Sequence, residues 1–305
     1  MLNRRTFLQG LSLPAVASVL PTVLAETKNI EIIKKIIPSS GEAIPVVGMG
    51  SSRTFDHLNE PAMHGQLLEV LEIFFKMGGS LIDSSPMYGS AEALLGKLLA
   101  QLKNKPKVFA ASKVWTYGKE AGIKAVATTE QRMGTKQMDL MQVHNLRDWK
   151  IHLQTLHEMK QRGQIRYVGI TTSSERQYEE FEQVMSTGKL DFIQLNYSLG
   201  ERKAEQRLLP LAMDKGIAVI VNRPFQRGQL FGKVKGQNLP QFVTEFGCHS
   251  WAQYFLKYIV SHPAVTAVIP ATTKTGHMID NMLAQTGKLA APDNRQEMET
   301  FFSKL

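Results

Sequence analysis

Beyond Ile44 the chain alternates between two hydrophobic patterns. One is a short run of mostly apolar, often β-branched residues: Val46–Met49, Ser80–Asp83, Val108–Lys113, Asp139–His144, Tyr167–Thr171, Phe192–Tyr197, Ala218–Val221 and Val265–Ile269. These eight runs are continuous rather than alternately apolar and polar, as parallel strands covered on both faces are. The other pattern repeats at helical spacing. Leu67, Val70, Leu71 and Phe74 share one face, which stops at Gly78-Gly79. Ser90 can cap a helix whose Leu94, Leu95, Leu98, Leu99 and Leu102 form a wide apolar stripe. Further helices are predicted near 119–132, 149–161, 175–185, 203–214, 249–260 and 276–286. Eightfold strand–helix alternation predicts a closed α/β barrel, the (β/α)8 or TIM type, rather than an open sheet. Glu31–Pro45, turning at Ser39-Ser40-Gly41-Glu42, reads as an extra β-hairpin capping one end. No Gly-x-Gly-x-x-Gly follows the first strand, which argues against a Rossmann fold.

Composition fits one such domain. A chain of 305 residues, 43% apolar and 21% charged, can bury the core of a barrel, a fold that commonly uses about 250 residues. No repeat, low-complexity tract or Pro/Gly linker divides it after Glu26. The net charge of +9 does not make nucleic acid a predicted partner, because basic residues are interspersed with acidic ones and no basic stripe carries stacking aromatics. A basic surface serves an anionic dinucleotide equally well. Cys248 is the only cysteine, so no intrachain disulfide can form, and its place before a predicted amphipathic helix suggests a structural role. The eight histidines show no His-x-x-x-His spacing, and no metal site is predicted.

Met1–Ala25 does not follow the barrel pattern. Asn3-Arg4-Arg5-Thr6-Phe7-Leu8 leads into an uncharged stretch that closes on Val23-Leu24-Ala25, the make-up of a secretory signal. Its Arg-Arg-x-Phe-Leu order resembles the twin-arginine export signal, which carries folded proteins across the bacterial inner membrane. The expected organisation is a signal peptide at 1–25 and a barrel domain at 26–305, with the export machinery as a partner and the periplasm as the destination. Gln9, Gly10, Pro14 and Pro21 argue against a stable spanning helix, so no membrane span is expected after cleavage. Cleavage there removes two positive charges and no negative one, taking +9 to +7.

Chemistry in a barrel of this kind gathers at the carboxyl ends of the strands. Four predicted ends are unusual: Asp83, Lys113, His144, and Gln194 with Asn196. Ionisable groups ending buried strands are costly unless paired, so a ring of them suggests a site. Three segments then carry a resemblance. Ile82-Asp83-Ser84-Ser85-Pro86-Met87-Tyr88-Gly89, Ser112-Lys113-Val114 and Gln142-Val143-His144-Asn145 resemble, in order and spacing, three signatures of the aldo-keto reductases. The resemblance spans Ile30 to Ala284. It implies a hydride-transferring oxidoreductase acting on a small carbonyl or alcohol. Tyr88 would be the general acid and Lys113 the cation that eases its ionisation; Asp83 would hold Lys113, and His144 would orient the carbonyl.

The same resemblance implies cofactor contacts. Gly50, Ser51 and Ser52 would approach the nicotinamide ribose, while Thr171, Thr172 and Gln194 stand where the carboxamide is bound. In Val221-Asn222-Arg223-Pro224-Phe225, Asn222 replaces a stacking aromatic, and Arg223 and Phe225 would meet the pyrophosphate. Thr272, Thr273, Lys274, His277, Asp280 and Asn281 resemble the adenosine segment. Lys274 with the threonine hydroxyls favours NADP(H) over NAD(H), although His277 replaces the usual arginine. Trp115 and Phe55 are expected to line the substrate pocket. Two other functions remain open: an exported dinucleotide-binding barrel acting as a sensor or accessory protein without turnover, and a Schiff-base aldolase or lyase using Lys113.

Overall fold

The computed structural model describes residues 31–305. The expected signal peptide therefore lies outside the described residues, as does the proposed boundary at residue 26. Two short strands come first, β1 (Lys34–Ile36) and β2 (Ala43–Pro45), paired antiparallel with Lys35 opposite Ile44. Their turn is closed by the Gly41 N–H on Ile37 O at 2.9 Å, with Gly41 at φ +76°, which only glycine adopts cheaply. This is the predicted hairpin.

Eight parallel strands follow: β3 (Met49–Gly50), β4 (Leu81–Asp83), β5 (Phe109–Val114), β6 (Met138–Val143), β7 (Ile165–Thr171), β8 (Phe192–Asn196), β9 (Ala218–Asn222) and β10 (Val265–Val268). Each pairs with its neighbours in chain order. The first segment also meets the last, since Val268 N donates to Val46 O and Gly48 N to Val268 O, both at 2.9 Å. The sheet thereby becomes the predicted (β/α)8 barrel. Its helices pack outside, among them α1 (Pro61–Lys76), α2 (Ala91–Leu99), α3 (Lys119–Met133) and α4 (Trp149–Gln161). Among the described residues no helix is long and apolar enough to cross a membrane.

The apolar residues form two cores. The outer lies between strands and helices; the inner, inside the barrel, contains Ile37 and Ile44 of the hairpin with Leu81, Phe109, Leu140, Tyr167, Phe192, Ala218 and Ile220. The hairpin therefore plugs the amino-terminal mouth, and Lys35 Nζ fixes it by donating to His262 O and Val265 O at 2.8 and 2.7 Å. The interior leaves little room at Gly169, where a Cβ would come within 2.7 Å of Phe192 O.

Side chains alternate across a strand, so inward positions recur every second residue. Reading upward, they run Leu81–Asp83, Phe109–Ala111–Lys113, Leu140–Gln142–His144, Phe192–Gln194–Asn196 and Ala218–Ile220–Asn222. Each begins apolar against the hairpin plug and ends polar at the opposite mouth. A last helix, Pro292–Ser303, was not anticipated; it presents only Met298 and Phe302 as buried residues.

Candidate active site

Asp83 and Lys113 stand at the ends of adjacent strands. Lys113 Nζ donates to both Asp83 carboxylate oxygens and to Ser84 O, each at 2.7 Å. Both side chains are at most 2% exposed, so removing one partner would strand a buried charge. Burial alone would push the Lys113 ammonium down, but Asp83, with help from Tyr88 and Glu92, raises it above its ordinary value. The amine is a held cation rather than a free nucleophile.

Tyr88 lies on the loop after β4, half-buried, with Lys113 Nζ 5.4 Å from its ring centroid. Burial pushes its phenol up; Lys113 opposes the rise, Asp83 adds to it, and Arg223 opposes it more weakly. Lys113 thus acts on the phenol in the direction expected, and burial outweighs it. His144 meets the Tyr88 ring edge-on at 6.0 Å between centroids. Burial first, then the cations of Lys113 and Arg147, hold its imidazole down at about 3, so it is neutral at ordinary pH. Its Nδ1 lies 3.0 Å from Ser85 Oγ, which also accepts the Met87 N–H at 3.2 Å. The Ser85 hydroxyl keeps its proton free to donate to Nδ1, and in that arrangement the His144 proton stands on Nε2.

These four side chains line one end of a cleft of about 970 Å³ at the carboxyl mouth of the barrel. Gly50, Ser51, Ser52, Thr171, Asn222, Arg223, Phe225, Thr272, His277, Asp280 and Asn281 line the same cleft. Six other sequence-predicted site residues do not. Phe55 is fully buried in the outer core and is not a pocket residue. Trp115 sits outside the lining, its ring 6.5 Å from His144 and covered by the Arg147 guanidinium at 4.5 Å. Thr172 spends its hydroxyl on Gln177 and Ser174. Gln194 accepts from Gln142 at 2.9 Å and donates to Asn222 at 2.8 Å, so its amide already has protein partners at both ends. Thr273 and Lys274 lie beyond the rim: the Thr273 carbonyl accepts from Gln66, and Lys274 is exposed at the cap of the helix Thr275–Leu283.

The cleft also contains residues that sequence reasoning left out. Arg53 follows β3, while Phe231 and Trp251 come from the long connection after β9. Phe225 and Phe231 pack at 5.0 Å between centroids, and the Trp251 indole N–H donates to Gln237 O at 3.0 Å, giving that wall an apolar, anchored surface. Arg53, Arg223 and Arg227 all line the cleft, and among the described residues no carboxylate lies within 4.0 Å of any of them. Burial, then Arg227, hold the Arg223 guanidinium below its ordinary value; Glu201 and Tyr88 oppose this, and Arg53 adds to it least. Asn281 is buried and reaches the cleft, whereas Asp280 is held by Ser250 and Gln253 at 2.9 and 2.6 Å.

Comparison with known proteins adds to this geometry. The family profile described as Aldo/keto reductase family matches residues 46–296. Methylglyoxal reductase YeaE of Escherichia coli K12 is 27% identical over 252 residues, covering 79% of this chain and 86% of that one. An NADH-specific methylglyoxal reductase of the same organism is 27% identical over 216 residues, covering 59% of this chain and 64% of its own length. An aldo/keto reductase from Klebsiella pneumoniae, solved in complex with NADP and acetate, superposes with a TM-score of 0.74. Its identity is 21%, and the match covers 89% of this chain and 96% of that one. That structural likeness establishes the shared fold.

Proposed function

Because the chain belongs to the aldo/keto reductase family, we propose that it is a nicotinamide-dependent oxidoreductase interconverting a small carbonyl compound and its alcohol. The observation that carries this reading is the convergence of Asp83, Lys113, Tyr88 and His144 on one end of a single cleft. The cleft fits a dinucleotide: at about 970 Å³ it is roomy, and among the described residues its three arginines have no carboxylate within 4.0 Å. Arg227 would meet the phosphates, and Asn281 the adenine end. When bound, the cofactor would supply or accept the hydride.

The chain's own residues handle the proton. Tyr88 gives its phenolic proton to the carbonyl oxygen, and Lys113 stabilises the phenolate left behind. Asp83 keeps Lys113 charged and aimed. His144, neutral, donates from Nε2 to the same oxygen and orients it. A Schiff-base reaction at Lys113 would need a neutral amine, which the Asp83 chelate opposes. Binding without turnover is favoured by one observation: Asn222, bonded to Gln194, offers no aromatic face at the reacting end. Tyr88→Phe separates the two readings. It should lower carbonyl reduction by about 10²–10⁴ while dinucleotide binding persists; parent-rate reduction by the variant would defeat the assignment.

NADP(H) is the preferred cofactor in this reading. The Klebsiella neighbour holds NADP, and Lys274 offers a cation near the adenosine segment. The NADH-specific relative supports NAD(H) as the second choice. The proposal extends to location. Arg4-Arg5 and the uncharged stretch that follows support twin-arginine export to the periplasm. Replacing Arg4 and Arg5 by Lys should leave folded protein in the cytoplasmic fraction. Undiminished periplasmic recovery of that variant would remove the export reading.

A further inference from the structure

The carboxylates of the cleft are all spoken for. Asp83 is chelated by Lys113, Asp56 accepts the backbone N–H and hydroxyl of Ser90 at 2.7 and 2.8 Å, and Asp280 is held by Ser250 and Gln253. The guanidinium groups are not. Arg223 is half-buried at the end of β9 in a left-handed conformation, φ +49°, that a residue without a glycine's freedom adopts only when held there. It lines the same cleft as Tyr88, whose phenol feels its charge, whereas Arg227 is exposed. Across the mouth, Arg147 stands over Trp115 at 4.5 Å and over Tyr117 at 4.7 Å, beside His144, and it too has no carboxylate within 4.0 Å among the described residues. The Coulombic pattern agrees. Arg223 acts on the Tyr88 phenol and Arg147 on the His144 imidazole, so each group flanking the reacting carbonyl feels a guanidinium.

A dinucleotide presents its negative charge at its phosphates, away from the ring that exchanges hydride. Cations beside Tyr88 and His144 therefore remain without a counter-charge even when the phosphates are held. A half-buried guanidinium gains most from a carboxylate, which it can bind through two parallel N–H donors.

We propose, resting on the oxidoreductase reading above, that the substrate is an anionic carbonyl compound, an aldehyde or ketone bearing a carboxylate, and that Arg223 selects it, with Arg147 contributing from the rim. The reaction balances as before: hydride adds to the carbonyl carbon, the Tyr88 proton to its oxygen, and the substrate carboxylate is unchanged.

The test compares 4-carboxybenzaldehyde with its methyl ester, which has nearly the same shape and a more electrophilic carbonyl but no charge. The native protein should prefer the acid in kcat/KM. Arg223→Gln should reduce the acid-to-ester ratio by about tenfold to a hundredfold, the loss of a hydrogen bond between charged groups, chiefly through KM. Arg223→Lys should recover part of the ratio, and Arg147→Gln should lower it less. Native preference for the ester would overturn the proposal. So would an Arg223→Gln variant in which NADPH affinity falls and the ratio does not, because Arg223 would then grip only the cofactor. If the native protein reduces neither aldehyde, the oxidoreductase reading falls. Titration with 4-carboxybenzyl alcohol then decides the anion subsite separately: binding that Arg223→Gln abolishes supports it, and no binding overturns it.

Discussion

The two sides of the cleft differ in how their charges are satisfied. Along β4, β5 and β6 the protein supplies both members of each contact: Asp83 has Lys113, Lys113 also has Ser84 O, and His144 has Ser85. Along β9 and the loop after it, Arg223, Gln226 and Arg227 take left-handed backbone conformations, and Arg223 feels the like charges of Arg227 and Arg53 with no carboxylate within 4.0 Å. The first arrangement fixes donors and acceptors before any ligand arrives, which spares reorganisation at the moment of reaction. The second stores mutual repulsion that an anion relieves. Chemistry is thus built into one wall, and affinity is left for the ligand to complete on the other.

The largest expected effect tests the closed side. Asp83→Ala strands the Lys113 ammonium and should lower unfolding stability by about 3–5 kcal/mol, read from urea midpoints. The open side should behave in the opposite way. Arg227→Ala should leave stability within about 0.5 kcal/mol, and weaken NADPH and NADH alike by about 1.5–3 kcal/mol in a fluorescence titration. Lys274→Ala, at an exposed site, should cost about 1 kcal/mol with NADPH only. A stability loss from Arg227→Ala matching that of Asp83→Ala would erase the distinction. The smallest effect is one of pH. His144 is held at about 3 when folded, against an ordinary 6.5. The unfolded chain therefore binds the extra proton first as pH falls, and stability declines from about 6.5 downward toward 3. The first unit below 6.5 should cost about 1 kcal/mol for this group, and His144→Gln should flatten that part of the profile.

Much of this architecture was legible because strands buried on both faces leave long apolar runs, and all eight appeared where such runs stand. Finer placement was not. Within β5 the inward residues are Phe109, Ala111 and Lys113, and the run conceals that alternation because the outward Ala110 and Val114 are apolar too. Phe55 looked like a pocket aromatic, yet an aromatic after the first strand reads the same whether its loop turns toward the cleft or the core. Gln194 was assigned to a ligand, but sequence cannot distinguish an amide awaiting a ligand from one already bonded to Gln142 and Asn222. The helix Pro292–Ser303 escaped notice because so few of its residues turn inward. The pairing of Asp83 with Lys113 was implied by the resemblance, while burial reasoning alone said only that ionisable groups ending buried strands need partners.

The seam of the barrel has a consequence in time. Val46 and Val268, whose backbone groups bond across it, are 222 positions apart in the chain. On a ribosome adding roughly 5–20 residues each second, the first strand waits on the order of 10–45 s for its second neighbour to be made. Throughout that interval one edge of the nascent sheet is open to any passing strand. The hairpin waits as well, because Lys35 anchors on His262 and Val265 and the Ile33 N–H on Gln285 O at 2.7 Å. Completion is therefore signalled late and in one place.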